Sequence, residues 1–337
     1  VDVSQPATVV GTGSASSCTF SALSAAVTKG GTITFDCGSA PVTIPVTSTL
    51  DLPIDRNTVL DGGTLVTLDG QNTTQIFTFN GTDWGTNSNG LTLQRIRLIN
   101  GRMHGTMMFP SYPGTMCSTG YYDGEGGAIY VRDGNLTVID SIFDGNQAEV
   151  LGPDTGGGAI YITGSKTGLF VMNSTFTNNK GANGGAIGSL FSQLQIYDSV
   201  FTGNTATGFG ANGDDTSSTH SQCPYLNNGT QHQTGSGGNG GAICNDGAAF
   251  GPGLANNLVF CGDDIESNAA GTGAFGGGIF MTSDDWSATL TIDDSTVTNN
   301  TGGSWTQVMQ GSVTNLGTAF GVNALSVSYS NCTLQGL

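Results

Sequence analysis

The chain has 337 residues, 10% of them charged, and its 25 Asp and Glu against 8 Lys and Arg give a formal net charge of −17. So acidic a chain has no basic stripe with which to displace counterions, which excludes wrapping of nucleic acid, and anionic membrane surfaces are unattractive to it for the same reason. No run is long or apolar enough to span a bilayer, and Val1 opens without a charged region leading into an apolar one, so any export signal is expected to have been removed.

The first element is a short amphipathic helix within residues 18–27, where Phe20, Leu23 and Val27 recur at spacings of three and four. Residues 32–35, 42–45, 58–60 and 75–79 follow as strands separated by Gly, Asp and Pro turns. Residues 91–98 then fall into step with a later phrase: Leu91 with Leu136, Leu93 with Val138, Leu98 with Phe143.

From residue 126 a Gly-Gly-[Ala/Gly]-Ile phrase recurs, at 126–130, 157–161, 184–188, 240–244 and 276–280. After most copies comes an alternating apolar phrase closed by Phe or Val and then Asn, as in Leu136-x-Val138…Phe143…Asn146. Two strand phrases repeated at roughly 25 to 35 residues describe a solenoid, whose coils are stable only when stacked. Stacking predicts an inward ladder of Ile129, Ile160, Ile187, Ile243 and Ile279, and another of Phe143, Phe176, Phe201, Ile265 and Val297. Asn146, Asn179, Asn204, Asn268 and Asn300 should line a corner where each amide bonds the next coil. The Gly pair is a turn device, because neither a Lys-Ser/Thr nor a helix follows it. The helix is expected to cap the first coil, since a bare apolar cross-section would aggregate. This divides the chain into residues 1–30, a leading segment with the cap, and residues 31–337, the solenoid, acting as a monomer.

Insert lengths point to function. The link from the Asn corner to the next Gly-Gly phrase is short at 180–183 but long at 101–125, 147–156 and 205–239. Coils in register must send these inserts out from one edge, and a ridge of loops on a rigid scaffold suits binding or chemistry. The first insert carries Arg102, His104, Tyr112, Tyr122, Asp123 and Glu125, with Arg95, Arg97 and Arg132 on adjoining strands. Eliminative cleavage of a uronate polymer needs a base for the C5 proton and a cation beside the carboxylate. His104 or Tyr122 would be the base, and Arg102 or Arg132 the neutraliser. Hydrolysis needs two facing carboxylates, one protonated, from Asp123 with Glu125, Asp154, or Asp214 with Asp215. Tyr130 and Tyr161 follow Ile on the outward face, where an aromatic pair would stack on sugar rings or lie beneath a loop.

Asp214, Asp215 and Asn212 could instead hold Ca²⁺, as oxygen ligands gather in acidic loops. Zinc is not expected, because no Cys-x-x-Cys or His-x-x-x-His spacing occurs. Cys18 and Cys37 flank the helix and could staple it to the next strand, one disulfide is expected among Cys223, Cys244 and Cys261, and Cys332 falls where other coils put an inward Phe or Val. Asp263 takes a position that other coils give to a turn Ser. A surface rich in Asn, Thr, Ser and Gly, with sequons from Asn72 to Asn331, suits an extracellular protein.

The Gly-Gly-Ala-Ile phrase together with Ser-x-Phe-x-x-Asn, at 141–146 and 174–179, resembles the right-handed parallel β-helix superfamily. It looks like the repeats of polymorphic outer membrane proteins and of pectate-lyase-like secreted proteins, over residues 30–335, and the segment around 18–35 is similar to the cap of such proteins. The resemblance implies an all-β, single-stranded right-handed parallel β-helix with a short N-terminal capping helix. Family members include polysaccharide lyases, glycoside hydrolases, epimerases and surface adhesins. Two departures stand out: no membrane β-barrel is read here, and of the polygalacturonase pattern only the paired Asp is echoed, by Asp263-Asp264. The expectation is a secreted enzyme cleaving a polysaccharide, by lysis rather than hydrolysis, with Ca²⁺ or no cofactor. The alternative is a non-catalytic glycan-binding or adhesion protein of the cell surface.

Overall fold

The computed structural model describes residues 1–108, 120–209, 213–214, 233–234, 236–247, 257–272, 274–282, 288–302, 314–315, 320–323 and 326–334. Short strands visit three sheets in a fixed order. Asn135–Ile139 lies in sheet I, Ile142–Asp144 in sheet II and Ile160–Thr163 in sheet III, and Leu169–Met172 returns to sheet I one coil later. The sheets hold 10, 9 and 9 strands, so successive coils stack on one another as a parallel β-helix. Within them the last strand pair, Thr314–Asn315 against Phe320–Asn323, runs antiparallel.

The register is the one the phrases predict. Leu91 pairs with Leu136 and Leu93 with Val138, and Leu98 pairs with Phe143. The Ile ladder is continuous and fully buried. Phe143, Phe176 and Phe201 stack with ring centroids 4.8 and 4.7 Å apart, nearly parallel, each contact worth about 0.5–1.5 kcal/mol beyond area burial. Thr8–Val10, Leu50–Asp51 and Val66–Asp69 are further strands that the sequence pattern does not single out.

Corner chemistry explains the residue choices. From residue 95 on, one residue per coil between sheets I and II is left-handed: Arg95, Asp140, Asn173, Asp198, Gly262, Asp294 and Asn331 all have φ between 45° and 73°. Apart from Arg95, these are the residue types that tolerate that region. At the corner leading to sheet III, Asn146, Asn179, Asn204 and Asn268 each donate to a carbonyl of the preceding coil and to the amide oxygen of the following Asn. The Gly pairs serve two different needs. Gly157 has φ +64°, and a Cβ on Gly158 would collide with the Gly185 carbonyl of the next coil.

The cap is a helix, Phe20–Lys29, whose N-cap Thr19 accepts the Ala22 N–H and whose Leu23, Ala26 and Val27 are buried. Cys18 and Cys37 form a disulfide beside it. Two cysteine expectations are corrected. Cys244 and Cys261 are free thiols, because one belongs to a sheet III strand and the other to the end of a sheet I strand; Cys223 lies outside the described residues. Leu334, not Cys332, continues the inward row after Val297. Cys332 stands one corner position earlier, with its Sγ 2.9 Å from the Ser330 carbonyl.

Candidate functional site

The inserts do emerge side by side. Arg102 bridges Gln147, Gln147 bridges Lys180, Lys180 pairs with Thr205, Thr205 with Ala269, and Ala269 with Thr301, all in parallel. These residues, spaced about 4.8 Å per rung, form the root of a ridge along the edge between sheets II and III.

At one end of that ridge stands a three-residue cluster. Arg102 Nε donates to His104 Nε2 at 3.1 Å, and its Nη2 lies 3.5 Å from Nδ1. His104 Nδ1 in turn lies 3.9 Å from Glu149 Oε2, with the ring 62% exposed and the carboxylate 7%. Glu149 is fixed by two backbone donors, Gly105 N–H at 2.9 Å and Val150 N–H at 2.8 Å. Burial pulls the Arg102 guanidinium below its ordinary value, against the opposing pull of Glu149. A guanidinium can only donate, so Nε2 is the accepting nitrogen of this pair.

Sequence reasoning missed Glu149, although a signal existed. Once Gly101 is aligned with Asn146, whose amide oxygen accepts its N–H, His104 and Glu149 share an offset of three from the corner. Parallel register then sets them opposite each other.

The other acidic residues of the insert separate into different roles. Asp123 accepts Thr106 N–H, Met107 N–H and the Thr106 hydroxyl at 2.8, 2.9 and 2.6 Å. Burial works to raise its carboxyl, but these donors prevail and hold it below the usual range, so it is a strut of the loop. Tyr122 is 52% exposed and its N–H bonds the Met107 carbonyl. Glu125 turns toward sheet III. Burial, with the Asp123 charge adding, raises its carboxyl to about 7.

Glu125 acts there on Tyr130 and Tyr161, which stack at 6.2 Å. Tyr161 is 6% exposed and donates its hydroxyl to the Asp154 carbonyl at 2.8 Å. Of the two alternatives for the tyrosine pair, Tyr161 takes the covered one, beneath the 147–156 insert, while Tyr130 stays partly exposed. Burial pushes Tyr130 up to about 12. Gly188, the next residue in the row, has no side chain because a Cβ would meet Tyr161 Cδ2 at 2.7 Å. The result is a small cleft lined by Asp154, Tyr161, Asn183, Cys244 and Asp246 among others. Burial raises both the Asp246 carboxyl and the Cys244 thiol, and the Thr282 hydroxyl donates to Asp246 at 2.7 Å.

The remaining arginines do not join the cluster. Arg95 pairs with Asp61, and Arg97 lies 3.8 Å from Asp144 on sheet II. Arg132, at the far end of its sheet III strand, donates to the Gly81 carbonyl and lies 5.7 Å from the Trp84 ring centroid. Convergence of Arg132 with Arg102 is thus corrected: strand direction carries it to the opposite edge. Tyr112, Asn212 and Asp215 lie outside the described residues. Asp214 belongs to a two-residue strand paired with Gln233–Thr234, and its side chain is not described.

Residues 140–163 match the Chlamydia polymorphic membrane protein repeat. Neither a curated protein nor a solved structure matches the chain. The repeat covers one sheet II strand, the Asn146 corner, the 147–156 insert and one sheet III strand. It therefore speaks for the coil and its stacking rather than for a reaction. Among the described residues no helix is long and apolar enough to cross a membrane.

Proposed function

We propose that the protein is a secreted carbohydrate-active enzyme that cleaves an acidic polysaccharide by elimination along the insert ridge. One observation carries this reading: a cation, an imidazole and an orienting carboxylate meet at Arg102, His104 and Glu149. Elimination requires that set. A uronate carboxylate takes the Arg102 fork, which releases His104 Nε2. The imidazole then accepts the C5 proton, the C5–H electron pair becomes the C4–C5 double bond, and the C4–O bond breaks. The leaving oxygen takes a proton from the imidazolium or from water. Glu149 holds the ring and balances its positive charge while it is protonated.

Lys180 supports the same substrate class. It is exposed and sits two rungs along the ladder from Arg102, which offers a second positive contact within a protein of strongly negative charge. Hydrolysis is less well supported, because the ionised partner it would pair with Glu125 is Asp123, whose oxygens are occupied by Thr106 and Met107.

The test is a panel of polyuronates and neutral glycans, followed for ultraviolet absorbance of the unsaturated product and separately for new reducing ends. The proposal expects both signals on a polyuronate, and loss of both in His104→Ala. Reducing ends without absorbance would replace elimination with hydrolysis. Saturable binding with neither signal would favour the adhesion reading.

A further inference from the structure

After Ile96, the residue following each left-handed corner between sheets I and II forms a polar row: Ser141, Ser174, Ser199, Asp263, Ser295 and Cys332. Each serine is buried and uses its hydroxyl twice. It donates to the carbonyl two residues earlier: Ser141 to Ile139 at 2.7 Å, Ser174 to Met172 at 2.9 Å, Ser199 to Tyr197 at 2.7 Å, and Ser295 to Asp293 at 2.7 Å. It also accepts the N–H of the row member one coil before, as Ser174 does from Ser141 and Ser295 does from Asp263, both at 3.1 Å.

Asp263 keeps half of this pattern. Its Oδ1 accepts the Ser199 N–H at 2.8 Å. The residue is 2% exposed, and Oδ2 is buried with no hydrogen-bond partner. A carboxylate has no proton to donate, so an ionised Asp263 cannot reproduce what every serine of the row does. Leaving a buried oxygen unmatched is the costly option.

The surroundings offer no countercharge. On the preceding coil Asp198 crowds the corner, where a Cβ on Gly262 would collide with its Oδ1. Cys261, Asp264 and Glu266 lie on the same coil, and Asp293 and Asp294 on the next. All eight Lys and Arg precede residue 181, so neither Lys nor Arg occurs on the coil of Asp263 or on its two neighbours; His220 and His232, in the 205–239 insert of the preceding coil, lie outside the described residues.

We propose that Asp263 is carried as the neutral acid, donating its Oδ2 proton toward the Cys261 carbonyl as a serine would, and that its ionisation loosens this corner, making it a pH-sensitive latch in the distal coils. Burial raises this carboxyl from its ordinary 3.8 to about 7, against the opposing pull of backbone hydrogen bonds with Ser199 and Cys261, with the Asp198 charge adding to the rise. The sign follows from proton uptake. The folded state binds the proton more tightly than the unfolded chain, so the stabilisation is complete below pH 3.8, declines as pH rises toward 7 and is absent above it.

The experiment compares thermal midpoints from pH 4 to 8 for the full chain, Asp263→Ser and Asp263→Asn. Taking wild type minus variant cancels Glu125 and every other titrating group. The latch expects the wild type to fall by several degrees relative to Asp263→Ser between pH 4 and 7, with no further divergence above pH 7. Parallel curves would overturn it. Should the variants fail to fold, the carboxyl ¹³C resonance of Asp263 in the intact protein decides the matter. A titration near pH 7 supports the latch, and one near pH 4 overturns it.

Discussion

Replacing Asn204 by Ala tests whether the corner ladder holds successive coils in register. Asn204 is 0% exposed. Its Oδ1 accepts the Asn179 N–H at 3.0 Å and Asn179 Nδ2 at 2.9 Å, while its Nδ2 donates to the Phe176 carbonyl at 3.0 Å and to Asn268 Oδ1 at 2.9 Å. Three of the four partners keep another bond: Asn179 Nδ2 still reaches the Phe143 carbonyl, Asn268 Oδ1 still accepts the Asn204 N–H, and the Phe176 carbonyl keeps its ladder bond to the next coil, where Phe176 pairs with Phe201. The Asn179 N–H is left buried and unmatched. At about 1–3 kcal/mol for an orphaned buried group, the variant should lose about 1–3 kcal/mol. Urea unfolding followed by circular dichroism measures this, provided the slope with denaturant is unchanged. Asn178→Gly is the control, because Asn178 is exposed, already left-handed at φ 57°, and makes a solvent-exposed bond to Asp144. It should cost no more than about 0.5 kcal/mol. If Asn204→Ala proves as mild as that control, the ladder is not what locks the coils.

His104→Ala should lower elimination by about 10²–10⁴-fold with the fold intact, as loss of a general base does, read from the rate of absorbance increase. Gly188→Ala should destabilise by about 1–3 kcal/mol, since the new methyl meets Tyr161 Cδ2 at 2.7 Å and Gly157 N at 2.8 Å; the thermal midpoint reports it. Glu125, raised from 4.5 to about 7, should remove about 3 kcal/mol of stability as pH climbs between those values. Glu125→Gln should flatten that part of the profile. Reducing Cys18–Cys37, which closes a loop of 19 residues, should cost about 3 kcal/mol, seen as a lower midpoint in reductant.

The coil was legible in the sequence because each structural need recurs at every turn. Ile129 and its equivalents, Phe143 and its equivalents, and the Asn corner occupy the same chemical position in successive coils, so an offset repeated several times stands out from chance. The ridge could be placed for the same reason, since register forces Arg102 and Thr205 to leave from one edge. Its chemistry could not, because side-chain partnership across coils depends on which way each strand end points. Arg132 is three residues beyond Ile129 and is carried to the far edge, whereas Glu149 lies 45 residues beyond His104 and becomes its neighbour.

What the chain by itself determined was therefore periodic: strand identity, inward and outward faces, the cap and the corner ladders, all set by local alternation and turn residues. What only the tertiary structure decided was aperiodic: the covering of Tyr161, the separation of Arg132 from Arg102, and the unmatched Oδ2 of Asp263. Register sets which residues stand opposite each other, as it does for His104 and Glu149, but a contact made once, between a coil and one particular neighbour, leaves no repeated trace in sequence.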